Sequence, residues 1–201
     1  RSASLLRPAL GLNLTSAGIP CIYYGTEQAF NGADNRHGDD SWSDVFLREC
    51  MFGGPFGSYQ SSGRHFFNEG HEVYRFISDV AGLCRRHIAL RRGRQFLRQV
   101  SESGLDWEFC YPQPVNGELH WVIAWSRIFD RSEYLCAINT DTERDLEVWA
   151  VVDSSIHPSP GMMECIYSTD PQQIGQTSPV SPARGAALRV RVPAAGFVVY
   201  R

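Results

Sequence analysis

Glu27, Asp34, Arg36 and His37 follow closely on an apolar run, Gly18 to Gly25, that carries two adjacent tyrosines, Tyr23 and Tyr24. A carboxylate can take or give a proton. An Asp and an Arg on one loop offer planar groups that form paired hydrogen bonds to hydroxyl-rich ligands. His37, Asp39 and Asp40 bring together side-chain types that ligate metals. Trp42, Tyr59 and Phe66, further along the same loops, present aromatic faces on which a ring with an apolar side can rest. The chemistry within reach is therefore polar recognition, proton transfer or metal ligation.

Such groups need a rigid element to hold them. Gly18-Ile-Pro-Cys-Ile-Tyr-Tyr-Gly-Thr-Glu27 is apolar almost throughout, too short for a membrane span, and ends in a glycine and a carboxylate. It reads as a fully buried parallel strand, whose C-terminal end is where α/β proteins place their chemistry. A core strand with an ordinary polar exit loop reads equally well from composition. Before it, Leu5, Leu6, Ala9, Leu10 and Leu14 recur at helical spacing over Ser4 to Leu14, with Pro8 setting the start or distorting the interior. Helix, short turn and apolar strand form the αβ half of a βαβ unit. A loop from Ala29 to about Ser41 leads to a short helix capped by Ser43 or Asp44 and running to Cys50. Gly53 to Gly57 breaks it, and a second polar loop spans Ser58 to Gly70.

The clearest helix runs from Asn68 or Glu69 to Arg92. Val73, Phe76, Ile77, Val80, Leu83, Cys84 and Ile88 form one apolar stripe. Gly93 stands where a C-terminal cap belongs, and Arg85, Arg86, Arg91 and Arg92 suit the helix dipole. These arginines read as a solvated helix end rather than a site for an anionic partner. From Arg94 the pattern changes to period two. Strands are expected at Gln95–Val100, Asp106–Tyr111, Leu119–Ser126, Tyr134–Asn139, Leu146–Val152, Met163–Tyr167, Ala187–Val192 and Gly196–Arg201, with Asp170 to Arg184 as a long loop. Short strands at near-regular spacing predict an antiparallel sandwich. Trp121 and Trp125 share a face with Leu119 and Ile123, which reads as core rather than as an exposed aromatic row. The chain thus divides into an α/β part, residues 1–93, and an all-β part, residues 94–201.

With 201 residues, 43% of them hydrophobic, the chain can bury one large core or two small ones, and its net charge of −3 argues against a dedicated nucleic-acid binder. No apolar run is long enough for a bilayer. The six cysteines are scattered among apolar neighbours with no C-x-x-C pair, which reads as buried thiols and favours a reducing compartment such as the cytoplasm. The opening at Arg1 shows no signal-peptide pattern.

Gly18, Pro20, Ile22, Tyr23, Tyr24, Gly25 and Glu27 together resemble the motif on the eighth barrel strand of the α-amylase family, glycoside hydrolase family 13. Asn35-Arg36-His37-Gly38, Arg48 to Gly54 and Ile88 to Gly93 resemble the layout that follows it. Val122 to Arg127, Leu135 to Asn139 and Val192 to Tyr200 resemble strands of the small domain C. The resemblance implies an α+β composite: the C-terminal piece of a (β/α)8 TIM barrel, then domain C as an all-β antiparallel sandwich. It implies a retaining glycosidase or transglycosylase acting on α-glucosidic bonds, with an α-glucan or oligosaccharide as substrate partner. The three catalytic carboxylates of that family sit at earlier barrel strands, so no catalytic residue is assigned here, and the N-terminal part of the barrel becomes a required partner. Asp34, Arg36 and Trp42 are the implied substrate contacts. Tyr23, Tyr24, Gly25 and Glu27 are implied to be structural residues near the active site, Glu27 as a hydrogen-bonded carboxylate. No cofactor is expected, and no metal, because the family's calcium ligands lie upstream. A glucan-binding or purely structural β module is the alternative.

Overall fold

The structure is a computed structural model that describes residues 4–30, 51–52 and 67–201. Two compact units are distinguished. One comprises residues 1–20 and 80–201, the other residues 21–79.

In the larger unit, α1 (Leu6–Thr15) is followed later by the C-terminal half of α2 (Glu72–Arg86) and by a short α3 (Ile88–Arg92). Nine strands follow: β1 (Arg94–Arg98), β2 (Val100–Ser101), β3 (Val122–Phe129), β4 (Ser132–Asn139), β5 (Leu146–Val151), β6 (Gly161–Ser168), β7 (Thr177–Ser181), β8 (Ala187–Val192) and β9 (Phe197–Tyr200). Their order is β1-β3-β4-β9-β6-β7-β8-β5-β2, and every ladder is antiparallel.

This one sheet folds back on itself at two corners. At the first, β6 pairs with both β9 and β7, with a register shift between Cys165 and Tyr167 that lets the strand bend. At the second, only Gln99 separates β1, which pairs with β3, from β2, which pairs with β5; its carbonyl accepts from Val151 N at 3.0 Å. Strands that pass from one layer to the other at a corner leave a nearly closed sheet with a sandwich-like interior. Val122, Ala124, Leu135, Ala137, Val198 and Tyr200 of one layer meet Val148, Ala150, Leu188, Val190 and Val192 of the other. Period-two alternation produces this. In β8, Leu188, Val190 and Val192 point in while Arg189 and Arg191 point out and pair with Glu147 and Asp145.

Strands β3, β4 and β9 are buried on both faces because α1 and α3 cover the outer one. Trp125 and Phe197 stack at 6.3 Å between ring centroids, and both are buried. Gly11 lets α1 sit directly on Phe197: a Cβ there would come within 2.7 Å of the ring. The buried Arg127 guanidinium donates to Thr15 O at 2.7 Å and to Gly93 O at 2.9 Å. It thereby satisfies carbonyls at the C-terminal ends of α1 and α3, which have no intrahelical donor.

Several expectations are corrected. Gly18 to Glu27 is not a strand: it runs as irregular extended chain into a 3₁₀ turn, Thr26–Gln28. A buried strand needs neighbours for its N–H and C=O groups, and no described strand pairs with this one. Most of residues 18–24 are accordingly open, with Ile19 97% and Tyr23 56% exposed. The single helix expected to Arg92 breaks at His87 (φ −118°, ψ 103°), whose Nδ1 lies 2.9 Å from Tyr134 Oη. The break resets the helical phase, so Ala89 and Leu90 are buried and Ile88 is exposed. Gly93 has φ −67°, not a left-handed cap; it is needed because a Cβ would lie 2.4 Å from Ala89 O and 2.9 Å from Ile128 O. Asp106 to Tyr111 is a turn with one bridge, Val100 to Cys110, because Glu108 bonds locally to Ser101 and Ser103. The strand expected from Leu119 begins at Val122 and runs on to Phe129. The expected loop 170–184 contains β7. Polar composition and Pro179 disguised it, yet proline is tolerated there because the β8 ladder starts only at Val180. Cys84, Cys136 and Cys165 are buried, whereas Cys21 and Cys110 are exposed. Among the described residues no helix is long and apolar enough to cross a membrane.

Candidate functional site

Gly25 is the pivot of the motif segment. Its φ of +85° is left-handed, and a Cβ would meet the Phe30 ring at 2.8 Å. Only glycine takes this turn without strain. From it, Gln28 N and Phe30 N both donate to Gly25 O at 3.0 Å, and Thr26 N donates to Tyr23 O at 3.0 Å. The chain therefore turns sharply just after the tyrosine pair. Tyr24 is 47% exposed, and its hydroxyl accepts from Met51 N at 2.8 Å. Tyr23 projects outward from the same turn. Glu27, inside the 3₁₀ turn, is half-buried, and no described residue hydrogen-bonds its carboxylate.

The residue that fastens this segment is one the motif does not highlight. Gln28 is buried, donates Nε2 to Asn68 O at 3.2 Å and accepts from Asn68 N at 2.9 Å. A side-chain amide that satisfies both backbone groups of one residue acts like a short stretch of ladder. Burial of a polar residue directly after Glu27 is its only structural signal, and no sequence pattern reports burial. Asp34, Arg36 and Trp42, and with them His37, Asp39, Asp40, Tyr59 and Phe66, lie outside the described residues. The structure therefore brings Tyr23, Tyr24, Gly25 and Glu27 into one turn and leaves the substrate-contact candidates unplaced.

In the larger unit, the stretch Gly18 to Pro20 lines a cleft of about 340 Å³ with Leu14, Cys84, Arg85 and Arg91. Cys84 does not make this a nucleophilic site: burial pushes its thiol pKa up, although Arg127 and Arg91 pull it back, and a thiol held protonated is a poor nucleophile. Among the described residues no group of three His, Cys, Asp or Glu side chains is arranged to hold a metal ion. Gly18 to Phe30 contains a single carboxylate, Glu27, so the segment cannot form the acid–nucleophile pair of a retaining glycosidase. What it can do is present tyrosine hydroxyls and a carboxylate from a rigid turn, which is recognition chemistry.

No family model matches the chain. A protein named beta/alpha-amylase from Paenibacillus polymyxa is 35% identical over 98 residues, which is 49% of this chain and 6% of that protein. Among solved structures, the cyclomaltodextrin glucanotransferase CldA, described as having a three-domain ABC distribution, aligns with TM-score 0.58 and 20% identity over 97% of this chain and 31% of its own. The Nostoc punctiforme debranching enzyme aligns with TM-score 0.54 and 18% identity over 98% of this chain and 29% of its own. The chain thus spans under a third of those structures and a small fraction of the curated relative. In fold over nearly its whole length, and in sequence over about half of it, the chain resembles α-amylase-type enzymes, and its antiparallel sheet resembles their C-terminal β domain.

Proposed function

We propose that this chain is the C-terminal part of an α-amylase-family enzyme, a retaining glycosidase or transglycosylase acting on α-glucosidic bonds. Residues 1–93 complete the (β/α)8 barrel and residues 94–201 form domain C. The observation that carries this reading is the fold likeness to CldA over 97% of the chain, supported by the Gly18–Glu27 motif. Under it, the open run from Gly18 to Tyr24 is a barrel strand awaiting its neighbours. A barrel strand gains its hydrogen bonds only when the barrel closes, which is consistent with the exposure of Ile19 and Tyr23.

The reaction of such an enzyme needs a carboxylate nucleophile and a carboxylic acid about 5–5.5 Å apart. We assign neither to this chain. Its share of the site is recognition. Asp34 and Arg36 hold sugar hydroxyls through planar, paired hydrogen bonds, Trp42 offers a ring face, and Tyr23, Tyr24, Gly25 and Glu27 serve as structural residues near the site. By itself the chain has no hydrolytic activity.

The test is to compare this chain with a form extended upstream through the remaining barrel strands, assaying release of reducing ends from maltoheptaose. Activity only in the extended form is expected, with Asp34→Ala and Arg36→Ala raising KM. An extended form that is folded yet inert on α-glucans refutes the reading. Hydrolysis by the chain alone refutes the assignment of catalysis to other residues.

A further inference from the structure

By sequence Arg85, Arg86, Arg91 and Arg92 are alike, the basic end of one helix. The structure separates them. In an unbroken helix, residues six apart point about 120° away from each other round the axis. The break at His87 lifts that constraint. Arg85 on α2 and Arg91 on α3 come to line one cleft of about 340 Å³, and Arg86 and Arg92 do not. The chain leaving α1 supplies Leu14, Ile19 and Pro20 to its walls, and the two helices add Ala81 and Leu90. All these residues belong to the larger unit.

The charge of this cleft is one-sided. Arg85 and Arg91 are exposed, and neither forms a hydrogen bond or ion pair with a described residue. Among the described residues no carboxylate lines the cleft. A third guanidinium adds to the field: Arg127 is buried, has no carboxylate partner among the described residues, and leaves its Nε without a hydrogen bond there. With Arg91 it pulls down the pKa of the cleft's Cys84 thiol against the effect of burial. A buried charge without a counter-ion is costly, and low-dielectric walls focus its field. The walls themselves are apolar, and Ile19 and Pro20 are exposed surface that the fold leaves uncovered. A cation is repelled here, and a neutral ligand leaves the guanidinium charge uncompensated. Inorganic anions lose water against apolar walls without recompense. A carboxylate takes paired hydrogen bonds from a guanidinium fork, and an apolar body attached to it covers the walls. The volume is at the small end of ligand sites, about 300–1,000 Å³, which fits one ring or a short chain.

We propose that this cleft is a binding site for a small organic carboxylate with an apolar body. Arg85 and Arg91 hold the carboxylate, and Leu14, Ile19, Pro20 and Leu90 cover the body. Neither α-glucan chemistry nor the Gly25 turn enters this inference. Because the walls come from the exit of α1, from α2 and from α3, an occupant ties three elements together and stabilises the folded chain.

The full chain, labelled with ¹⁵N, is titrated at constant ionic strength with octanoate and, separately, with 1-octanol and octylammonium. Saturable shifts in residues 14–20 and 81–91 are expected with octanoate, weaker ones with octanol and none with octylammonium. Octanoate should also raise the melting temperature. Arg85→Gln and Arg91→Gln, both at exposed positions, should each raise the apparent Kd about fivefold, the upper end for a partly exposed ion pair. Arg86→Gln and Arg92→Gln should leave it unchanged. No saturable shifts in those residues, an equal response to octanol, or an unchanged Kd in both Arg85→Gln and Arg91→Gln each overturn the proposal. Equal weakening by Arg86→Gln and Arg92→Gln does so too, because it reports a diffuse charge field rather than a site. The titration is repeated on the form extended upstream. Binding retained there supports the site; binding lost there assigns the cleft to the barrel and overturns it. None of these results bears on hydrolysis of maltoheptaose, so this proposal and the enzymatic reading fail separately.

Discussion

Arg127 does the work of two helix caps with one side chain. Its guanidinium bonds to Thr15 O and Gly93 O, and no carboxylate pairs with it among the described residues. Burial holds its pKa below the usual arginine range, but a guanidinium remains charged throughout the working pH range. Arg127→Met fills similar space and strands both carbonyls. It should cost about 2–4 kcal/mol, seen as a lower urea midpoint. A loss within experimental error would show that water replaces the guanidinium at both helix ends. A second residue-scale effect concerns Glu133, a buried carboxylate that bonds to Arg98 at 2.7 Å, to Ser126 Oγ and to Asp153 N at 2.8 Å. His157 Nε2 approaches it at 3.6 Å, too far to hydrogen-bond. Burial depresses the His157 pKa below 6.5 and Arg98 adds to this, while Glu133 and Asp153 oppose it. The unfolded chain therefore binds this proton more readily than the folded one. Its contribution to stability is complete above about pH 6.5 and declines as pH falls from there through the lower folded value. Urea midpoints measured between pH 7.5 and 5.5 should fall less steeply in His157→Asn than in the wild type. Parallel profiles would remove His157 from the account.

At the scale of elements, α1 is held by shape more than by amphipathicity. Gly11 in mid-helix costs about 1 kcal/mol in intrinsic propensity relative to alanine, yet the Phe197 ring occupies the place of its missing Cβ. Gly11→Ala should therefore destabilise by about 1–3 kcal/mol, because overpacking against a ring stacked on Trp125 outweighs the propensity gain. Thermal or urea unfolding gives the sign directly, and a stabilised variant would mean that α1 can slide on β9. The break at His87 has a similar origin. Nothing in Leu83 to Leu90 demands it locally, but the bond to Tyr134 on β4 fixes the chain in an extended conformation there. Strand β7 is the converse case. Its local sequence is a poor strand, and its neighbours β6 and β8 supply the pairing that makes it one.

At the scale of the molecule, the sheet and the two helices on its outer face form one core. Trp125, Phe197 and Arg127 would face solvent without α1 and α3. A fragment spanning residues 94–201 should thus melt several degrees below the whole chain and bind a hydrophobic dye, since an uncovered apolar patch of this kind exposes surface that native domains bury. Equal melting temperatures without dye binding would show that the sheet is self-sufficient. The proposed enzyme adds a requirement at this scale: the run Gly18 to Tyr24 gains strand pairing only from segments outside the described residues.

The β part was legible in the sequence wherever apolar residues alternate, as in β5 and β8, because a sheet with one buried face imposes period two on its residues. The resemblance carried by Tyr23, Tyr24, Gly25 and Glu27 was readable because local backbone geometry restricts which residues fit, as at Gly25 with its φ of +85°. Tertiary structure alone decided the rest. The alternation from Leu119 to Trp125 put the start of β3 too early, because its ladder with β4 begins only at Val122. Pairing turned 177–181 into a strand and withheld strand structure from Gly18 to Glu27, since a strand exists only with a neighbour. The duties of Arg127 and Gln28 were likewise settled by contacts far apart in the chain, which no local pattern encodes.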